Sequence, residues 1–223
     1  MGHNNVNSPL INPLPPVILI ITLLLVVVEI IFQIVEVGIL SSFSKEITRN
    51  NVIVNYAFFG SLQDWMINNL TFKWSFLFRY LTFPFIHFNF LQTVIAMVMF
   101  LALGKMVCEV FNGFIFLILI TSSSFCGAFF YGLLLNDQFQ LVGAFPAIYG
   151  LIGAYTYLLW VSMKFLGAQS ANAFILIAVL LSIQIIFKVV FNGSNDWVAD
   201  LFGFLTGFVL TALIRPKTKS SDD

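Results

Sequence analysis

LVGAFPAIYGLIGAY, residues 141–155, is apolar from end to end, and small residues recur through it: Gly143, Ala147, Gly150, Gly153 and Ala154. On a helix such crowding lets a second backbone approach closely, which is how helices associate where the solvent is lipid. Proline is comfortable in the first turn of a helix, where its missing N–H would be unpaired anyway. Pro146, directly after Phe145, therefore marks a helix start, and a segment of about 142–163 reads as one membrane-crossing helix.

Outward from this stretch the whole chain has the same character. Of its 223 residues 60% are hydrophobic, 17% aromatic and 9% charged. Soluble domains carry roughly 25% charged residues, and the mean hydropathy here is +0.98. The chain is expected to be an integral membrane protein. Its formal net charge is zero, and without a basic stripe or a recognition motif no nucleic-acid partner is expected. Cys108 and Cys126 lie in or beside apolar segments and are expected to be buried thiols. The two histidines, His3 and His87, form no metal-ligand spacing with cysteines. Neither a metal nor a cofactor is expected. Residues 1–15 hold no Lys or Arg, so a signal peptide is not expected.

A hydrocarbon core of about 30 Å takes about 20 apolar residues in a helix. Six segments qualify, at about 16–35, 79–103, 110–135, 142–163, 171–191 and 197–214. Together they predict an all-α polytopic bundle over 16–214, between an N-terminal segment 1–15 and a polar tail 215–223. The first loop, 37–78, is too long for a plain connector. It mixes Tyr56, Trp65 and Trp74 with Lys45, Arg49 and Lys73, the composition of short helices in the membrane interface. An even number of spans puts both termini on one side. Arg215, Lys217 and Lys219 in the tail, with Lys105 and Lys164 in short loops, favour the cytoplasmic side for them. In the sixth segment Ala199, Gly203 and Gly207 recur every four residues, a small face that fits the one in the fourth.

Four segments now share one resemblance. RYLTFPFIHFNF (79–90) resembles R-(Y/F)-(L/F)-T-x-x-F-x-H-x-x-x-x-H. ALGKMVCE (102–109) resembles L-G-x-x-(L/V)-E with one residue more before the Glu. GAFPAIYGLIGA (143–154) resembles G-A-S-G-A-(I/V)-(Y/F)-G-L-(I/L)-G-A, and ADLFGFLTG (199–207) resembles A-H-x-x-G-(F/L)-x-x-G. In this order they resemble the rhomboid family of intramembrane serine proteases, a six-helix fold with a long first loop.

The resemblance also locates what is missing. Rhomboid catalysis needs a serine activated by a histidine, with donors for the oxyanion. The serine's position falls on Phe145 and the histidine's on Asp200. The oxyanion histidine and asparagine fall on Gln92 and Ala96. Pro146 replaces a glycine and removes an amide donor. The matching positions are structural: Arg79, His87, Gly104, Glu109, Gly143, Gly150, Gly203 and Gly207, with Tyr149 as the aromatic that packs on the catalytic histidine. The resemblance implies an inactive member of a divergent bacterial branch, in the inner membrane, that binds transmembrane clients or a membrane complex. Candidate client-binding residues are Asn89, Gln92, Tyr149 and Asp200. Two alternatives stay open: an active intramembrane serine endopeptidase, and a subunit or small transporter using Asp200, Glu29 and His87. Oligomeric state is not readable.

Individual polar residues carry paired readings. An acidic residue in a membrane helix faces protein or water. Asp200 reads either as a ligand-responsive carboxylate or as a structural partner of the Tyr149 hydroxyl. Glu29 reads as part of a polar path or as a carboxylate satisfied by a neighbouring helix. His87 is expected to anchor the first loop, and Glu109 to satisfy loop donors. Ser122, Ser123 and Ser124 have no evident histidine partner.

Overall fold

The computed structural model describes residues 14–39, 47–135, 139–191 and 193–214. His3, Lys45, most of the 1–15 segment and the tail with Arg215, Lys217 and Lys219 lie outside the described residues. In chain order the helices are α1 (Pro16–Glu36), α2 (Arg49–Tyr56), α3 (Gly60–Asn68), α4 (Trp74–Leu77), α5 (Arg79–Thr82), α6 (Phe90–Val110), α7 (Gly113–Leu134), α8 (Phe145–Phe165), α9 (Ile175–Phe191) and α10 (Trp197–Ile214). Short 3₁₀ turns cover Phe83–Phe85 and Ser170–Phe174. Six stretches are long and apolar enough to cross a bilayer: α1, α6, α7, α8, α10 and Ser170–Val190, in which the second 3₁₀ turn runs into α9.

One boundary differs from expectation. The second span starts at Phe90, not at Arg79. Residues 79–89 are a helical turn, a 3₁₀ turn through Pro84 and an extended link. The Asn89 side chain then caps α6, accepting from the Gln92 amide at 2.9 Å. An Asn cap satisfies one of the orphan amides of a first turn, and here it fixes the helix start. The proline expectation holds at α8, which begins at Phe145 with Pro146 in its first turn.

α8 is the central helix. Ten of its residues are buried, including an unbroken run from Pro146 to Ala154. A helix apolar on every side is one surrounded by protein. Its closest neighbour is α10, and glycines set the distance. A Cβ at Gly203 would strike the Pro146 carbonyl, one at Gly207 the Gly150 carbonyl, and one at Gly153 the Phe204 carbonyl. α7 completes the trio, with a Cβ at Gly127 falling 2.6 Å from the Ala199 oxygen. α6 presents Thr93, Ala96, Phe100, Gly104 and Val107 inward at helical spacing. α1 adds Ile18, Leu25, Glu29, Phe32 and Val35. Ile18 and Phe116 pack over the bare Gly104. α9 is peripheral: apart from Ile177, its described side chains are half-buried or exposed.

The first loop is built, as expected, of short helices, and it is docked. Phe58 and Phe59 pair antiparallel with Leu141 and Gln140, joining the loop to the turn before α8. Phe58, Tyr80 and Phe83 pack with Tyr131 of α7 and Val198 of α10. Gln63 takes the Tyr80 hydroxyl at 2.7 Å and donates to the Phe129 carbonyl at 3.1 Å. It sits in space that exists because residue 132 is glycine. Cys108 and Cys126 are free and half-buried rather than fully enclosed.

Candidate functional site

The turn entering α8 is held from the first loop. Gly143 adopts φ +99°, a conformation open to glycine at little cost. Its amide donates to the Phe83 carbonyl at 3.0 Å. The next amide, of Ala144, donates to Nε2 of His87 at 3.4 Å. His87 is buried, and that burial lowers its pKa to about 4. The ring is therefore neutral near pH 7, and a neutral ring is the form in which Nε2 can accept. The His87 carbonyl in turn accepts from Arg49 of α2 at 3.0 Å. His87 thus links the first loop to the α8 turn, the anchoring role expected of it.

Arg49 is the residue that sequence reasoning missed. Its guanidinium bonds Glu29 twice, at 2.8 and 3.1 Å, and Glu36 at 2.7 Å. It also lies over the Phe32 ring, 4.7 Å from the centroid. Glu29 is completed by Gln33 at 2.8 Å and by Thr93 of α6 at 2.7 Å. Glu29 is therefore satisfied by a neighbouring helix, and by a loop cation 20 residues away. Arg79 holds the loop at a second point, donating to the Val54 and Ala57 carbonyls at 2.9 and 2.8 Å. Burial lowers its pKa.

Beside the α8 turn lies a cavity of about 250 Å³. Gln92 of α6, Phe145 and Pro146 of α8, Gln184 and Lys188 of α9, and Asp200 of α10 line it. Phe145 and Asp200, 55 residues apart in sequence, thus face one space. Phe145 is half-buried and fills part of it with an aromatic ring. Asp200 is buried, and its Oδ2 accepts from Nε2 of Gln184 at 2.7 Å. The expected bond from Tyr149 is not made. Tyr149 is buried in the main core instead, and Asn89 serves as the α6 cap. Of the four candidate client-binding residues, the cavity brings together Gln92 and Asp200 and leaves Asn89 and Tyr149 out of its lining. Gln92 turns its Oε1 to the Phe88 amide at 2.7 Å. Lys188 donates from its Nζ to the Gly193 carbonyl at 2.6 Å.

Gln184 is the second residue missed, and here a signal existed. An amide within an apolar span is costly unless it has a partner, the same argument that singled out Asp200. Ala96 lies fully buried in the core, and Glu109 is exposed at the end of α6. Among the described residues no group of three or more His, Cys, Asp or Glu side chains could hold a metal ion.

The Rhomboid domain matches residues 75–217. No curated protein matches the chain. The matched region runs from the turn carrying Arg79 to the end of α10 and takes in every residue named around the cavity. A domain match over well over half of a chain with six apolar helices long enough to cross a bilayer makes this a multi-pass integral membrane protein that belongs to the rhomboid family.

Proposed function

We propose that this rhomboid-family protein has lost the family's hydrolytic activity and binds the transmembrane helices of other membrane proteins. The observation that carries the reading is the cavity shared by Phe145 and Asp200. By the sequence resemblance these are the positions of the nucleophile and its base. Their meeting in one space is what an aligned pair requires, yet the pair is a phenyl ring and a carboxylate. Losing a member of a serine–histidine pair costs about 10⁴- to 10⁶-fold in related hydrolases. Pro146 offers no amide to an oxyanion.

The alternatives find less support. Ser123 is buried in α7, and the one described histidine has its Nε2 occupied by the Ala144 amide. A proton path through Glu29 would have to break its bonds with Arg49, Gln33 and Thr93. Client entry between α6 and α9 fits the loose seating of α9, whose Ile183 is exposed, and Leu91 at the start of α6 is exposed as well. On this reading the protein sits in a bacterial inner membrane with both termini cytoplasmic.

The test places a photo-cross-linking residue at Leu91 or Ile183 in the full chain in its own membrane. Client binding predicts cross-links to transmembrane segments of several proteins at low, variable occupancy. A single product at a fixed ratio would instead make the protein a dedicated subunit, and no membrane-protein product would overturn the reading.

A further inference from the structure

We infer that the cavity is a receptor for a hydrogen-bond-donating cationic side chain, a lysine or arginine carried by a client transmembrane helix near its end on the first-loop side. The inference rests on the client-binding reading and adds to it the chemistry of the client.

Two oxygen atoms carry it. Oδ1 of Asp200 and Oε1 of Gln184 are both buried and have no hydrogen-bond partner among the described residues. Both groups line the same cavity and are already joined through Gln184 Nε2 and Asp200 Oδ2 at 2.7 Å. That bond uses one of the two N–H donors of the Gln184 amide and one carboxylate oxygen, and it leaves Asp200 Oδ1 and Gln184 Oε1 as the buried acceptors that still lack a partner among the described residues. Asp200 is 2% exposed. A buried carboxylate with an unused oxygen is costly in a membrane helix unless a donor or a counter-charge meets it. The cation already in the lining, Lys188, is bonded to the Gly193 carbonyl.

Space and access agree. The cavity holds about 250 Å³, room for the end of a lysine or arginine side chain. Its α9 wall belongs to a helix with Ile183, Ile185 and Ile186 exposed, so a client helix can lie against it from the lipid side. A cation on such a helix pays its own burial cost in hydrocarbon, and pairing with Asp200 relieves both groups at once. An acidic client would bring like charge to Asp200, and an apolar one would leave both oxygens unmet.

The experiment uses the full chain in bilayer nanodiscs and a synthetic apolar transmembrane peptide with one variable residue near that end: lysine, norleucine or glutamate. Binding is read by energy transfer. The expected result is lysine binding about tenfold tighter than norleucine, the range of an interhelical polar contact in a bilayer, and glutamate weakest. Asp200→Asn and Gln184→Leu should each reduce the ratio of lysine to norleucine binding to about twofold or less. Equal binding of all three peptides, or a lysine preference that survives Asp200→Asn, overturns the inference and leaves client binding standing. If no peptide binds the wild type, client binding falls, and this inference with it.

Discussion

Replacing the buried Arg49 of the first loop with methionine should strongly destabilise this protein. Glu29 is 4% exposed and accepts four hydrogen bonds, two of them from Arg49. Without the guanidinium, a buried carboxylate is left with the neutral donors Gln33 and Thr93. Breaking a buried ion pair by removing one partner costs about 3–5 kcal/mol. The bond to Glu36 adds little, because that side chain is 46% exposed and such pairs contribute roughly 0–1 kcal/mol. Arg49→Met should therefore lose about 4 kcal/mol. Glu29→Gln/Arg49→Met should regain much of that loss, with a coupling energy of roughly 2 kcal/mol or more, because no unpaired charge remains. Equilibrium unfolding in mixed micelles, followed by tryptophan fluorescence, measures all four corners of the cycle. If Arg49→Met lay within about 1 kcal/mol of wild type, the pair would behave as an exposed one, and the proposed clamp between loop, α1 and α6 would be refuted.

Four further outcomes follow from other contacts in the fold. Gly207→Val should abolish correct packing of α8 on α10, since even a methyl group there meets the Gly150 backbone, which cannot turn aside. Gly113→Ala, whose Cβ would lie 3.5 Å from Val17, should stay within about 0.5 kcal/mol of wild type, and thermal melting in detergent separates the two. His87 is held neutral by burial, with its pKa lowered to about 4 from 6.5. The unfolded chain binds the extra proton first, so His87 contributes no penalty above pH 6.5 and destabilises progressively as pH falls toward 4, by roughly 3 kcal/mol in all. His87→Gln should flatten that limb of the melting-temperature profile; a slope unchanged by the substitution would show that His87 is not its source. Gln63→Leu should strand the Tyr80 hydroxyl and lower stability by about 1–3 kcal/mol, and the additional substitution Tyr80→Phe should recover part of it, both read by the same unfolding assay.

The spans were legible because each is a run of apolar residues long enough to satisfy its own backbone in lipid. The α8–α10 contact was legible too, since glycine and alanine at four-residue spacing have few other uses in a membrane helix. The start of α6 was misplaced because Phe83, Phe85 and Ile86 extend the apolar run upstream. The deciding signals are local and polar: Pro84 in a 3₁₀ turn and Asn89 as a cap. The pairing of Glu29 with Arg49 and Thr93 spans 20 and 64 residues and leaves no periodic trace. The partner of Asp200 was missed for a related reason. Tyr149 was named because the resemblance makes it the aromatic that packs at the histidine's position, whereas Gln184 belongs to a segment read only as an apolar span. The two-residue pairing of Phe58–Phe59 with Gln140–Leu141 is too short for any alternation to reveal.

The most direct measurement of the central claim treats purified protein, in bilayers, with a serine-directed fluorophosphonate probe and a transmembrane substrate peptide. Wild type and the triple substitution Phe145→Ser/Pro146→Gly/Asp200→His are compared side by side. The account predicts neither labelling nor cleavage by the wild type. In the substituted chain it predicts labelling at position 145, since Phe145 and Asp200 already face one cavity. Labelling or product from the wild-type protein would contradict it, because a working nucleophile would then lie where the account places none.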